Sequence, residues 1–413
     1  MILGRNNLQG IREKIANLFN QDSTWRLIDA YTPRIYGLLL NSFLIAKFGA
    51  NLYALPGWVL GVFGLILTIL PDPHSYILVR ASGIRAQSLY GLTVPILLIK
   101  TIFAGVLVLI CLLMTTTGNI SEPHGQTWYL VAIAALFYGS TEFLWAVLGT
   151  VSLANGNVRR TAQIGIYTRV VSFVVFGFFW KYAHIGVGEI FLMTSLPIFI
   201  GWFLLSPFSM NWPRIRLFCI HGIVRYAGWM QGISLVTAGL FQMPVIVLGA
   251  WPGGDPAMVG VVAFTNRLLM AGFQPFQILQ SVVIRDASNL KDCSEPLIRT
   301  PLWIVFKAGG AVFAFLSLII IGFSWESGKL ELKALILVAA LSLGVAVSIW
   351  FRHELAVSLA IKSLRQIFLR GYIPGFLLTI LAIPILMSFY GVYGLSFAIA
   401  VGWIGLSNSW RWV

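Results

Sequence analysis

Arg34 and Arg267 each stand well inside an apolar stretch long enough to cross a bilayer, whereas nearly all the other basic residues fall between such stretches. A guanidinium at mid-membrane costs roughly 3 kcal/mol or more, so it is usually turned toward a watery cavity or a charged ligand. Its planar fork of donors suits phosphate and carboxylate oxygens. The chemistry these residues offer is therefore the binding and passage of an anion. Polar side chains extend each arginine along its helix. Arg267, Gln274, Gln277 and Ser281 are spaced i, i+7, i+10 and i+14, which is one face at about 3.6 residues per turn. Tyr31, Arg34, Asn41 and Ser42 form a similar stripe earlier in the chain, and Gln231, Ser234 and Gln242 form a third. The amides of Asn41, Gln231, Gln274 and Gln277 can meet hydroxyl groups of a solute, or serve as hydrogen-bonding glue between helices.

Two carboxylates stand out. Glu142 is deep in an apolar stretch, with Tyr138 and Trp145 beside it on one face, and Asp29 lies nearer the end of the stretch that holds Arg34. A buried carboxylate is either protonated or held ionised by a cation. With a proton or Na⁺ as that partner it is a coupling site; with an arginine it is a structural ion pair. Both readings stand for Glu142 and Asp29.

The elements that must position these residues follow from composition. The chain has 413 residues, 58% of them hydrophobic and 10% charged, outside the range of soluble domains. A helical crossing needs about 20 apolar residues. About twelve such spans are expected, over 26–48, 52–71, 91–113, 128–150, 165–183, 186–206, 227–250, 257–281, 301–323, 332–351, 371–389 and 391–409. The fold class is all-α, a polytopic integral membrane protein. Prolines 33, 95, 197, 244, 275, 374 and 384 fall inside spans, where they bend helices. Residues 1 to 25 lack the apolar run and small-residue site of a cleavable signal, so the first span doubles as the anchor.

Orientation follows from Lys and Arg, which concentrate on the cytoplasmic side. With the N-terminus inside, nineteen basic residues are inner and only Lys47, Lys181, Lys329 and Lys333 are outer. Both termini are therefore expected in the cytoplasm. The net charge of +14 is explained by topology, which leaves no reason to expect a nucleic-acid partner. The basic inner segments 73–90 and 352–370 suit anionic membrane lipids. Lys100, Arg169 and Lys307 sit toward the cytoplasmic ends of their spans, where long side chains can snorkel to water.

Enzyme motifs are missing. No G-x-G-x-x-G follows a strand, and there is no Walker lysine loop or H-E-x-x-H. Cys111, Cys219 and Cys293 have no metal or pairing spacing. No enzyme activity, cofactor, metal or disulfide is expected. The outer loops, the longest at about 114–127, are too short for a glycan polymerase or ligase site.

A cut near residue 210 divides the chain into an N-terminal lobe, 1–210, and a C-terminal lobe, 211–413, of six spans each. Both show a related order at the first outer turn. Lys47-Phe48-Gly49-Ala50-Asn51-Leu52-Tyr53-Ala54-Leu55-Pro56-Gly57 stands against Leu248-Gly249-Ala250, an insert, and Val259-Gly260-Val261-Val262-Ala263-Phe264. Across nearly the whole length, this arrangement resembles the Wzx-type polysaccharide flippases. Their superfamily also holds the multidrug and toxic compound extruders (MATE) and the lipid II flippase. The usual aromatic-Gly pair is here Tyr53-Ala54, with the glycine delayed to Gly57. The resemblance implies two six-helix lobes around a central cavity, with cationic residues on the first and eighth helices; Arg34 and Arg267 match. It implies a lipid-linked glycan as substrate, Na⁺ or H⁺ as a coupling ion, a bacterial inner membrane and polysaccharide assembly proteins as neighbours. An ion-coupled exporter of small molecules is the alternative, although carboxylates rather than arginines suit its cationic substrates.

Overall fold

The computed structural model describes residues 22–69, 84–115, 128–154, 158–182, 185–205, 217–251, 255–288, 301–326, 332–361 and 364–407. Among them there is no strand. The helices are α1 (Asp22–Ile69), α2 (Ile84–Thr115), α3 (Trp128–Ala154), α4 (Val158–Tyr182), α5 (Val187–Leu205), α6 (Leu217–Ala250) and α7 (Pro256–Ser288). They continue as α8 (Pro301–Glu326), α9 (Leu332–Trp350), α10 (Arg352–Ile361), α11 (Ile373–Tyr390) and α12 (Val392–Ser407), with a π-helical turn, Ile367–Tyr372, before α11. Cys293 and the N-terminal segment before residue 22 lie outside the described residues.

Among the described residues eight helices are long and apolar enough to span a membrane, and Leu97–Leu113, Trp303–Phe315 and Val392–Leu406 are shorter apolar segments. The longest of the eight, Tyr31–Ile69, has 39 residues. At 1.5 Å per residue that is about 58 Å, twice a hydrocarbon core of roughly 30 Å, so α1 carries the first two expected spans. It changes direction at Gly49, whose φ of 81° and ψ of 168° suit a residue without Cβ. The last two spans part at Gly391, with a φ of 58°. Every expected span falls on one of these helices, and the protein is a polytopic all-α membrane protein. Pro374 falls inside the span Ile367–Tyr390, just after its π-helical turn. It sits in the first turn of α11, where that helix continues the π-helical turn.

The described residues pack as two units. One takes those of Met1–Phe43, Asp72–Leu109 and Glu122–Ala227; the other takes those of Leu44–Pro71, Ile110–Ser121 and Gly228–Val413. In this packing the second half of α1 joins the C-terminal elements. In the first unit α5 packs on α3 and α4. The Trp145 indole of α3 fills the space that a side chain at Gly165 would need, and Thr168 of α4 fills that at Gly201.

In the second unit α9 packs on α8 and α12, α12 on α11, and α7 on α9 and α10. Phe241, Phe273 and Trp403 form its aromatic centre, with ring centroids 4.8 to 6.5 Å apart. The second half of α1 lies on α6 and α7 through small residues. Gly57 meets Ala263, Gly249 meets the Trp58 ring, and Gly260 meets the Ala50 carbonyl. Trp58 Nε1 donates to the Ile246 carbonyl at 3.3 Å. The two related turns thus differ: Gly49 breaks a helix, whereas Gly249 stays helical and is a seat for an indole. On α11 the stripe Leu377, Leu381, Ile385 and Phe389 is 51 to 77% exposed, an apolar face suited to lipid.

Gly260 gives a test of this packing. A Cβ there would run into the Ala50 backbone, which cannot rotate away. Gly260→Ala is expected to cost about 1–3 kcal/mol, seen as a lower Tm of the purified protein in detergent. Gly64→Ala, with open space around it, should change little.

Candidate functional site

The most strongly built polar centre of the first unit is an ion pair. Arg169 of α4 places Nη2 2.7 Å from Glu142 Oε2 of α3. Arg169 Nη1 donates to the Gly165 carbonyl one turn back, at 3.1 Å, and the guanidinium lies 5.2 Å from the Trp145 ring centroid. Its side chain is 3% exposed, and that of Glu142 is 18% exposed. Arg169 therefore does not snorkel: its charge is satisfied inside the bundle by Glu142. Glu142 Oε1 and Arg169 Nε have no hydrogen-bond partner. Asp29 of α1, half-buried, belongs to the same centre. Its carboxylate feels the Arg169 charge, and its Oδ2 fills the space beside Gly149. The structure thus brings Asp29 and Glu142, two carboxylates 113 positions apart in sequence (142 − 29), to one arginine.

Hydroxyl groups complete the centre. Ser172 Oγ of α4 donates to the Thr194 carbonyl of α5 at 2.8 Å, and Tyr36 OH of α1 donates to the same carbonyl at 3.4 Å. Arg34 and Tyr31 are half-buried on α1, while Ser42 is exposed. Asn41 is fully buried, and its Nδ2 donates to the Gly37 carbonyl on its own helix. That amide is turned to the backbone, not to an open face.

The second unit holds Arg267. It is half-buried on α7 and hydrogen-bonds the phenol of Tyr53, which is 1% exposed. No carboxylate pairs with Arg267 among the described residues. Gln277 is half-buried on α7. The side chains of Gln231, Gln274 and Ser281 lie outside the described part of α6 and α7. Sequence reasoning passed over Asn266, next to Arg267. It is 2% exposed and its Nδ2 donates to the Phe241 carbonyl, tying α7 to α6.

Lys307 of α8 also turns inward. Its Nζ lies 2.6 Å from Glu354 Oε1 of α10 and donates to the Trp350 carbonyl at 2.8 Å. Three rings, Trp303, Trp350 and Phe351, surround the ammonium at 4.7 to 5.6 Å. Trp303 Nε1 donates to the same Glu354 oxygen at 3.2 Å. Next to it His353, outside the spans, is fully buried, and this burial pushes its imidazole below the usual histidine range. Among the described residues no cluster of three or more His, Cys, Asp or Glu is arranged to hold a metal ion.

No protein-family model and no curated protein matches the chain. Solved structures do. The chain is similar to the lipid II flippase MurJ in its inward closed conformation, with a TM-score of 0.65 and 16% identity over 93% of this chain and 86% of that one. It is similar to the Vibrio cholerae MATE transporter VcmN, with a TM-score of 0.53 and 14% identity over 97% of this chain and 96% of that one. It is also similar to the eukaryotic MATE transporter AtDTX14, with a TM-score of 0.55 and 10% identity over 97% of this chain and 95% of that one. At such identities the likeness is one of fold: the chain has the all-α membrane fold of these transporters.

The Arg169–Glu142 pair makes a double-mutant test. Glu142→Gln leaves a buried guanidinium without its partner and is expected to cost about 3 kcal/mol or more. Arg169→Met alone leaves the carboxylate unpaired and is expected to cost a comparable amount. The double variant should be more stable than Glu142→Gln, because the orphaned charge is gone. Thermal unfolding of the four proteins in detergent measures the coupling, and additive losses would sink the pair as a structural unit.

Proposed function

We propose that the chain is a flippase of the Wzx type. In this reading it carries an undecaprenyl-pyrophosphate-linked oligosaccharide from the cytoplasmic to the outer leaflet of a bacterial inner membrane, for polysaccharide biosynthesis. The observation that carries it is Arg267, a cation within a spanning helix whose partner is the phenol of Tyr53 and not a carboxylate. Among the described residues no carboxylate neutralises it, which leaves it suited to an anion. The fold likeness to the lipid II flippase over 93% of the chain supports the same reading.

The physics of the task fits. Each unpaired polar group dragged through hydrocarbon costs several kcal/mol, so a glycan with a pyrophosphate faces a barrier on the order of tens. Arg34 and Arg267 supply forks for phosphate oxygens. Gln231, Gln274 and Gln277 supply amides for sugar hydroxyls; Asn41, on the helix of Arg34, bonds the Gly37 carbonyl of that same helix. The acyl chain stays in lipid. Both termini are cytoplasmic, and the two sequence halves meeting near residue 210 are six-helix lobes. Asp29 and Glu142, gathered at Arg169, are the carboxylates through which Na⁺ or H⁺ would couple the cycle. Polysaccharide assembly proteins are the expected partners.

The second reading, an ion-coupled small-molecule exporter, draws on the likeness to MATE transporters over 97% of the chain. Organic cations would need a carboxylate free to face them. Glu142 is instead taken by Arg169, which favours the anionic substrate.

Arg34→Ala and Arg267→Ala are each expected to abolish glycan export while the protein remains inserted and abundant. Lysine at either position should restore only part of it, since the bidentate fork is lost. The measurement is flipping of a fluorescent isoprenyl-pyrophosphate glycan in vesicles, with and without an imposed Na⁺ or proton gradient. Normal flipping by both alanine variants would reject the anion-binding role.

A further inference from the structure

Arg352 opens α10 and is only 7% exposed. Its guanidinium lies over the Phe273 ring of α7, 4.6 Å from the centroid. Its charge is felt by the phenol of Tyr372, itself 1% exposed at the end of the π-helical turn. Arg352 Nε is buried with no hydrogen-bond partner. Among the described residues no carboxylate pairs with this guanidinium. Glu354, two positions on, is already taken by Lys307 and Trp303.

A charge count around α10 shows what is missing. Lys307 and Glu354 cancel, and burial disfavours the charged form of His353. Among the described residues the positive charge of Arg352 has no carboxylate to compensate it. Burying a guanidinium without a counter-charge is strongly unfavourable, and the aromatic ring beneath it offsets only part of that. A guanidinium fixed flat on a ring presents its edge as a fork, the geometry that grips two oxygens of one phosphate. A neighbouring phenol adds an O–H donor. π-helical turns recur at functional sites, and here one carries Tyr372. In the segment leading to it Arg365 and Arg370 are exposed, a basic approach for an anion.

We propose that Arg352 and Tyr372 form a phosphate-binding site at the inner end of the C-terminal unit, occupied by a phosphate or pyrophosphate group carried on a lipid. The site is distinct from Arg267, although Gln277 of the α7 stripe follows Phe273 by one turn. Phe273 follows Arg267 by six residues, which places it about 120° around the helix from Arg267. The anion has two sources, the headgroup of an anionic phospholipid or the pyrophosphate of a lipid-linked glycan. Only the second rests on the function proposed above.

The test is ligand-dependent thermal unfolding of the purified full chain in detergent. The probes are phosphatidylglycerol, farnesyl pyrophosphate, inorganic pyrophosphate and, as a lipid without phosphate, dioleoylglycerol. At least one phosphate probe is expected to raise the wild-type Tm, and dioleoylglycerol is not. The rise with phosphatidylglycerol should vanish in Arg352→Gln and the rise with either pyrophosphate should fall, and binding should weaken about tenfold in Arg352→Lys and Tyr372→Phe, which keep charge and shape but lose the fork or the donor. A rise with phosphatidylglycerol alone supports the site with a headgroup in it; a rise with either pyrophosphate supports it with the glycan carrier. With phosphatidylglycerol as the probe, Arg34→Ala and Arg267→Ala should keep the full rise; the pyrophosphate probes also meet those two arginines in the function proposed above. The proposal is overturned if no phosphate probe shifts the wild type, if Arg352→Gln keeps the whole shift with every probe, or if the phosphatidylglycerol shift is lost in Arg267→Ala with Arg352 intact. Should Arg352→Gln fail to fold, wild-type binding by both Arg352→Lys and Tyr372→Phe overturns it equally.

Discussion

Hydrocarbon does not tolerate an uncompensated charge, and the basic residues within and beside the spans are organised by that constraint. Arg169 is met by Glu142 and lies near Asp29; Lys307 is met by Glu354 and enclosed by rings. Each pair joins two helices, α4 to α3 and α8 to α10. A buried pair adds little net stability over well-packed apolar residues, but breaking it leaves a stranded charge, so such pairs fix which helix faces lie together. Hydroxyls obey the same rule by a shorter route. Thr141, Thr237 and Thr379 each donate to a carbonyl one turn back on their own helix, at 2.7 to 3.0 Å, and need no partner elsewhere.

Span positions were legible because length and hydrophobicity are local properties. Gly49 likewise lay between two expected spans, where only a short link was available. Arg169 was misplaced for a specific reason. The fifth span was expected from residue 165, which puts Arg169 near a membrane surface, but α4 begins at Val158, seven residues earlier (165 − 158). Arg169 then stands 11 residues into α4 (169 − 158), and Glu142 stands 12 residues before the end of α3 (154 − 142). On antiparallel neighbours these depths match. The start of α4 is polar, with Arg159, Arg160 and Gln163, so hydropathy alone could not extend the helix through it.

The glycine contacts were illegible for a different reason. Gly57, Gly249 and Gly260 are ordinary small residues until the second half of α1 is laid on α6 and α7, when Ala263, Trp58 and Ala50 turn out to need the missing Cβ space. Close approach of this kind is what small residues supply between membrane helices, where hydrophobicity gives no driving force. The requirement belongs to a pair of segments far apart in sequence. Asn41 shows the converse: its place beside Arg34 on a helix face suggested a solute contact, but tertiary packing buries it completely.

A fold that serves both a lipid II flippase and MATE transporters does not by itself choose a substrate. The sign of the available charge narrows the choice. Glu142 in the first unit is neutralised from within by Arg169. In the second unit Arg267 has a phenol beside it, and Arg352 a phenol and an aromatic ring. Phenols donate hydrogen bonds to anions and remain uncharged at neutral pH, so neither arginine loses its charge to its neighbour. A cationic drug would meet repulsion there. In a low-dielectric setting, where water screens little, each of these arginines is a fixed cation with a phenol beside it.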